Sequence, residues 1–177
     1  MSNRTSRPQP DEYSHYFARY VARVPAGDLV LILRDQIADT RSLVAHLSDE
    51  ASNHAYAPDK WTVREVIGHM SDTERVMAYR ILVAARGDTT PLAPFDENAW
   101  TPAGEFGLRS MASVWHEFEA VRAATVALLD GLSDAAWTRR GTASGHPFSV
   151  RGMVCNISGH ERHHTDVLRT MYGLTPA

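Results

Sequence analysis

The chain has 177 residues, enough for one domain with a substantial core, and its 44% hydrophobic and 22% charged content is ordinary for a globular protein. A net charge of −3 supplies no electrostatic case for nucleic acid or an anionic membrane, and no apolar run is long enough to span a bilayer. The polar start Met1-Ser2-Asn3-Arg4 leads into no signal segment, and Cys155 is the single cysteine, so a cytoplasmic location without an intrachain disulfide is expected.

Residues 1–26 read as a polar arm. Within it Tyr13, Tyr16, Phe17, Tyr20 and Val21 recur at helical spacing, which predicts a short helix docking on the rest, closed by Pro25 and Gly27. Residues 27–177 then carry four long helical patterns. The first covers about 28–47, with Leu29, Val30, Leu33, Ile37, Val44 and Leu47 facing inward. The second begins at Thr62, which pairs with Glu65 as a capping box, and ends before Gly87. The connection 87–109 is long for a bundle and mixes Phe95, Trp100 and Phe106 with prolines and acids. It reads as a crossover whose aromatics plug one end of the bundle, or as a lid facing a substrate. The third helix spans about 110–131 through Val114, Trp115, Phe118, Val121 and Leu129, and the fourth runs from after Ser149 to about Tyr172. No strand pattern stands out.

The second and fourth helices open with related sequences. Thr62-Val63-Arg64 through Ser71 and Glu74 recurs 87 residues later as Ser149-Val150-Arg151 through Ser158 and Glu161. Leu47-Ser48-Asp49 likewise recurs as Leu132-Ser133-Asp134. One helical hairpin cannot bury its apolar face alone, whereas two packed copies can, so the repeat predicts an all-α four-helix bundle with an internal pseudo-two-fold. Arg64 and Arg151 sit in first turns, where the helix dipole does not favour a cation, and are expected to pair across the repeat with Asp49 and Asp134. Ser71 and Ser158 lack a nucleophile-elbow context and read as packing residues, Cys155 as an inert packed thiol, and Trp61 as a hydrophobic staple.

His160 and His164 are four residues apart, which places both imidazoles on one helical face. On a wheel centred on Ile157, His164 falls on the apolar side, His160 about 60° off centre and His163 about 120° away, on the flank. On the second helix His69 lies about 100° from Met70, at the edge of the buried stripe beside Thr73. Because the repeat makes these helices equivalent partners, His69 can face the other pair. Three neutral imidazoles hold a divalent metal with positions left open, the pattern of catalytic rather than structural zinc. Nickel, iron, copper and manganese suit the same donors. Glu161 and Asp72 are the nearby carboxylates that could orient the rings. An inward histidine is more often a hydrogen-bonded core residue, and His15, His46, His54, His116 and His146 have no context beyond that.

The segments Pro58-Asp59-Lys60-Trp61-Thr62 through Gly68-His69, Arg86-Gly87-Asp88, Phe95-Asp96-Glu97-Asn98 and Gly159-His160-Glu161-Arg162-His163-His164 resemble the DinB/YfiT-like superfamily. The resemblance implies an up-down-down-up four-helix bundle with a divalent metal, zinc or nickel foremost, held at His69, His160 and His164. It also implies thiol S-transferases or candidate metal-dependent hydrolases as models for activity, a low-molecular-weight thiol among possible substrates, and frequent homodimers. It implies no DNA binding. The leading expectation is therefore an enzyme activating a small thiol or water; the alternative is a non-catalytic metal- or ligand-binding helical module.

Overall fold

The computed structural model describes residues 2–177. Four long helices dominate: α2 (Leu29–Val44), α4 (Val63–Ala85), α6 (Met111–Asp130) and α7 (Val150–Thr170). Shorter ones are α1 (Ala18–Val21), α3 (Asp49–Ser52) and α5 (Glu97–Ala103). Each long helix starts where a side chain satisfies its first free amides. Asp28 accepts from Val30 and Leu31, Thr62 and Glu65 form the capping box, and Ser110 and Ser149 cap α6 and α7.

Pairings across the helices define their directions. Arg64 and Arg75 of α4 reach the Arg109 carbonyl just before α6 and Glu117 within it, positions that advance together, so α4 and α6 are parallel neighbours. Gln36 and Thr40 of α2 meet Ser158 and Glu161 of α7, also in parallel. Arg34 and Arg41 of α2 pair with Asp130 and Glu119 of α6 in descending order, which makes that contact antiparallel. The connectivity is up-down-down-up, with the 87–109 crossover joining the two parallel helices.

The core divides into two apolar clusters. One gathers Val30, Leu33, Ile81, Trp137, Phe148 and Val154; the other gathers Leu43, Ile67, Phe106, Phe118 and Leu168. Between them lies a buried polar layer in which Arg122 bridges Glu74 and Glu161, each at 2.7 Å. Glu74 and Glu161 occupy equivalent places in the sequence repeat, and this single guanidinium reads both copies. Burial alone would depress the Arg122 pKa, but the two carboxylates raise it above the ordinary arginine value.

A two-stranded hairpin, β1 (Arg140–Ala143) with β2 (His146–Ser149), corrects the expectation of no strands. Its turn uses Ser144 and Gly145, both at positive φ (53° and 78°), the geometry of the tight hairpin turns. Strands of four residues are too short to show alternation, and only the Ser-Gly dipeptide signalled them. Leu92 bridges to this hairpin through Thr142 and Ser144, tying down the start of the crossover.

The expected repeat-spanning ion pairs are not formed as such. Arg64 donates to the backbone carbonyls of Asp49 and Arg109, while the Asp49 carboxylate caps Met111 N at 2.7 Å. Arg151 pairs with Glu12 of the N-terminal arm, and Asp134 instead accepts from Ser2 and Asn3. The arm intervenes because it lies directly on α7. Gly152 and Gly159, seven residues apart on one face, let it approach: a Cβ on Gly152 would stand 2.4 Å from the Glu12 carbonyl oxygen, and one on Gly159 only 2.1 Å from that of Tyr20. The equivalent α4 positions are Glu65 and Asp72, so only one copy of the repeat can accept the arm.

Candidate metal centre

His69 comes from the second turn of α4, and His160 and His164 from successive turns of α7, where the antiparallel α4–α7 contact brings them together. Their Nε2 atoms converge: His160 Nε2 lies 3.0 Å from that of His69 and 3.1 Å from that of His164. Among the described residues no other group of three histidines, cysteines or carboxylates gathers in this way. His69 and His160 are buried, and His164 is half-buried. Burial pulls the His69 pKa down to about 4. Burial, reinforced by the neighbouring imidazoles, holds His160 and His164 well below the ordinary histidine value. All three rings are therefore neutral near pH 7 and keep a lone pair for a cation. Three neutral, convergent imidazoles, two of them buried, fit a divalent ion of the zinc, nickel, iron, copper or manganese class.

The supports of these rings differ from the sequence expectation. Thr73 Oγ1 lies 3.4 Å from His69 Nδ1, one turn along α4. The Trp61 ring stands 4.7 Å from that of His69, so this residue does more than staple the helix start. Tyr20 from the arm meets His160 edge-on at 5.6 Å. Neither expected carboxylate is hydrogen-bonded to a ring. Glu161 faces inward, but its oxygens are taken by Arg122, Gln36 and Thr40. Asp72 points toward Arg75 on the outer side of α4. Adjacent positions on a helix diverge by about 100°, so a carboxylate next to a histidine in sequence serves a different neighbour in space.

The three histidines open onto a cavity of about 390 Å³. One wall is the arm, with Phe17, Arg19 and Tyr20; another is the crossover, with Phe95, Glu97 and Asn98; the floor carries Met77 and Arg80 of α4 and Ser144 of the hairpin turn. His163 lines the rim without joining the convergent set. Within the crossover Phe106 is buried against Gly68, while Phe95 and Glu97 face the cavity. Sequence reading missed Arg80, although a charged residue on the inward stripe of α4 was the signal. Cys155 is buried, its pKa pushed up to about 12 by burial, and takes no part.

The family model of the DinB superfamily matches residues 32–168. The chain belongs to the DinB superfamily. A Geobacillus kaustophilus relative named as a candidate metal-dependent hydrolase is 26% identical over 140 residues, covering 77% of this chain and 78% of its own length. An Oceanobacillus iheyensis protein with the same kind of name is 27% identical, covering 77% and 76%. Among solved structures, YfiT from Bacillus subtilis, described as an unusual four-helix bundle, superposes with a TM-score of 0.73 at 18% identity over 96% of this chain and 95% of that one. A mycothiol-dependent maleylpyruvate isomerase gives 0.66 at 14% identity over 82% and 62%. At these identities the structures establish the DinB fold. No helix of the described residues is long and apolar enough to cross a membrane.

Proposed function

We propose that this DinB-superfamily chain is a metal-dependent enzyme acting on a small molecule, with His69, His160 and His164 as the ligands of one divalent ion. The observation that carries the reading is the convergence of three neutral Nε2 atoms at the edge of a cavity, with no fourth histidine, cysteine or carboxylate among the described residues to close the set. An open coordination position beside a pocket is the catalytic pattern, and this favours an enzyme over a structural clamp between α4 and α7. When bound, the ion supplies Lewis acidity that makes a thiol or a water a competent nucleophile near neutral pH. Thr73 holds the His69 ring, Trp61 and Tyr20 fix the ring planes, and the arm and crossover exclude bulk water from two sides. Zinc or nickel as the ion, and thiol transfer or hydrolysis as the reaction, are the forms this proposal takes.

Metal analysis of native protein tests it. About one divalent ion per chain is expected, lost in His160→Ala while the helical content is retained. Equal metal content in both proteins refutes the centre. A screen of thiol transfer and ester or amide hydrolysis, run with the identified metal and after its removal, then separates the two chemistries.

A further inference from the structure

Arg80 is left without a role by the metal centre, yet it is the residue of the cavity whose placement is hardest to explain structurally. It is only 4% exposed. Its Nη2 donates to the Ala93 carbonyl at 2.9 Å and to Ser144 Oγ at 3.3 Å, and no carboxylate among the described residues pairs with it. Nε and Nη1 have no acceptor among those residues. Arg122, equally buried, shows the ordinary solution, two carboxylates on one guanidinium. Arg80 Nε and Nη1 are not sealed from the cavity, the guanidinium lies 5.7 Å over the Phe95 ring, and a cation kept there without a counter-charge persists where something else is gained.

The position of Arg80 says what is gained. At about 100° per residue, His69, Thr73, Met77 and Arg80 fall within about 80° of one another, a single stripe of α4 that runs along the cavity. His69 and Arg80 are ~16 Å apart along the axis, and a long helical side chain leans back toward the N-terminus, which carries the guanidinium toward the histidines. Phe17 and Met77 add apolar wall to the cavity, and the Phe95 ring lies beside the Arg80 guanidinium.

We propose that the cavity takes a small carboxylate with an apolar body, its anionic end held by Arg80 and its other end presented to the three histidines. This rests on the metal-centre reading for the reactive end, while the anion site stands on Arg80 itself. Glu97 shares the wall without pairing to Arg80 and offsets part of the attraction that the Arg80 and Arg19 guanidiniums offer a carboxylate.

The test is calorimetric titration of 4-phenylbutyrate and of its neutral counterpart 4-phenylbutan-1-ol into zinc-loaded and metal-free protein. The acid is expected to bind about tenfold or more tighter than the alcohol in both forms, the range of a charge-assisted hydrogen bond. Arg80→Gln should abolish that preference, Arg80→Lys should keep part of it, and Glu97→Gln should strengthen the acid alone. Circular dichroism checks the fold of each variant; if Arg80→Gln does not fold, the wild-type comparison and the Glu97→Gln response decide. Equal binding of acid and alcohol by wild type, or a preference that survives in Arg80→Gln, overturns the proposal. A parallel zinc titration separates the two readings. Acid preference without zinc binding removes the metal centre and supports the anion site, whereas zinc binding without acid preference does the reverse.

Discussion

Gly159→Ala is the substitution whose outcome depends most directly on how the arm meets the bundle. In the middle of an exposed helix this change stabilises by about 1 kcal/mol, because alanine loses less backbone freedom. At Gly159 the added methyl would lie 2.1 Å from the Tyr20 carbonyl oxygen and 2.4 Å from its carbon. Those atoms are backbone and cannot swing aside, so α1 must back away by more than 1 Å to restore contact at roughly 3.5 Å. Overpacking of this kind costs about 1–3 kcal/mol. If α1 leaves altogether, Tyr20, Val21 and Val24, all buried, lose burial worth about 1.5–3 kcal/mol each. The expected net loss is therefore about 2 kcal/mol, a fall of roughly 4–8 °C in Tm for a chain of this size. Thermal melts and urea unfolding measure it, and limited trypsin digestion at Arg19 and Arg23 should accelerate. The metal stoichiometry expected of the proposed centre should be unchanged, because α4 and α7 alone carry the histidines. A variant as stable as wild type, or more so, would show that helix propensity outweighs the contact and that the arm is not tightly seated.

Arg122→Met leaves Glu74 and Glu161 buried beside each other without their cation and should cost about 3–5 kcal/mol in urea unfolding. Adding Glu74→Gln and Glu161→Gln should recover part of that loss, and no recovery would argue against charge as its source. Glu12 is a pH-dependent contributor. Burial raises its pKa, but hydrogen bonds from Arg151, Ser149 and the Gln9 amide outweigh this and hold it at about 2 against an ordinary 4.5. A lowered folded-state pKa means the stabilisation is complete above about pH 4.5 and is lost as pH falls toward 2. The stability gap between wild type and Glu12→Gln should accordingly narrow across that window, and a gap independent of pH would refute the role assigned to the ionised carboxylate.

Much of this molecule was legible in its sequence because helices are local objects. Thr62 with Glu65, Ser149 and the inward stripes placed α4 and α7 within a residue or two, since capping and periodicity act over single turns. The repeat was informative for a deeper reason: Glu74 and Glu161 are equivalent in sequence and converge on Arg122 in space. The hairpin at 140–149 was not legible, because four-residue strands are held by their partner and by Leu92 rather than by their own pattern.

For the site, the spacing of His160 and His164 and the inward edge of His69 were sufficient to nominate the three imidazoles, because each statement concerns one helix at a time. Which carboxylate serves which neighbour was not, and Glu161 and Asp72 turned elsewhere. Such pairings depend on where the facing helix lies, a distance of a few ångströms that no single helix encodes. The cavity belongs wholly to tertiary structure. Its walls come from the arm, the crossover and the hairpin turn, and Arg80 gained its place only when α4, Ser144 and Ala93 were brought together. Sequence alone determined the helices and the identity of the three imidazoles; packing decided what surrounds them, because burial and counter-charge are properties of the assembled interior.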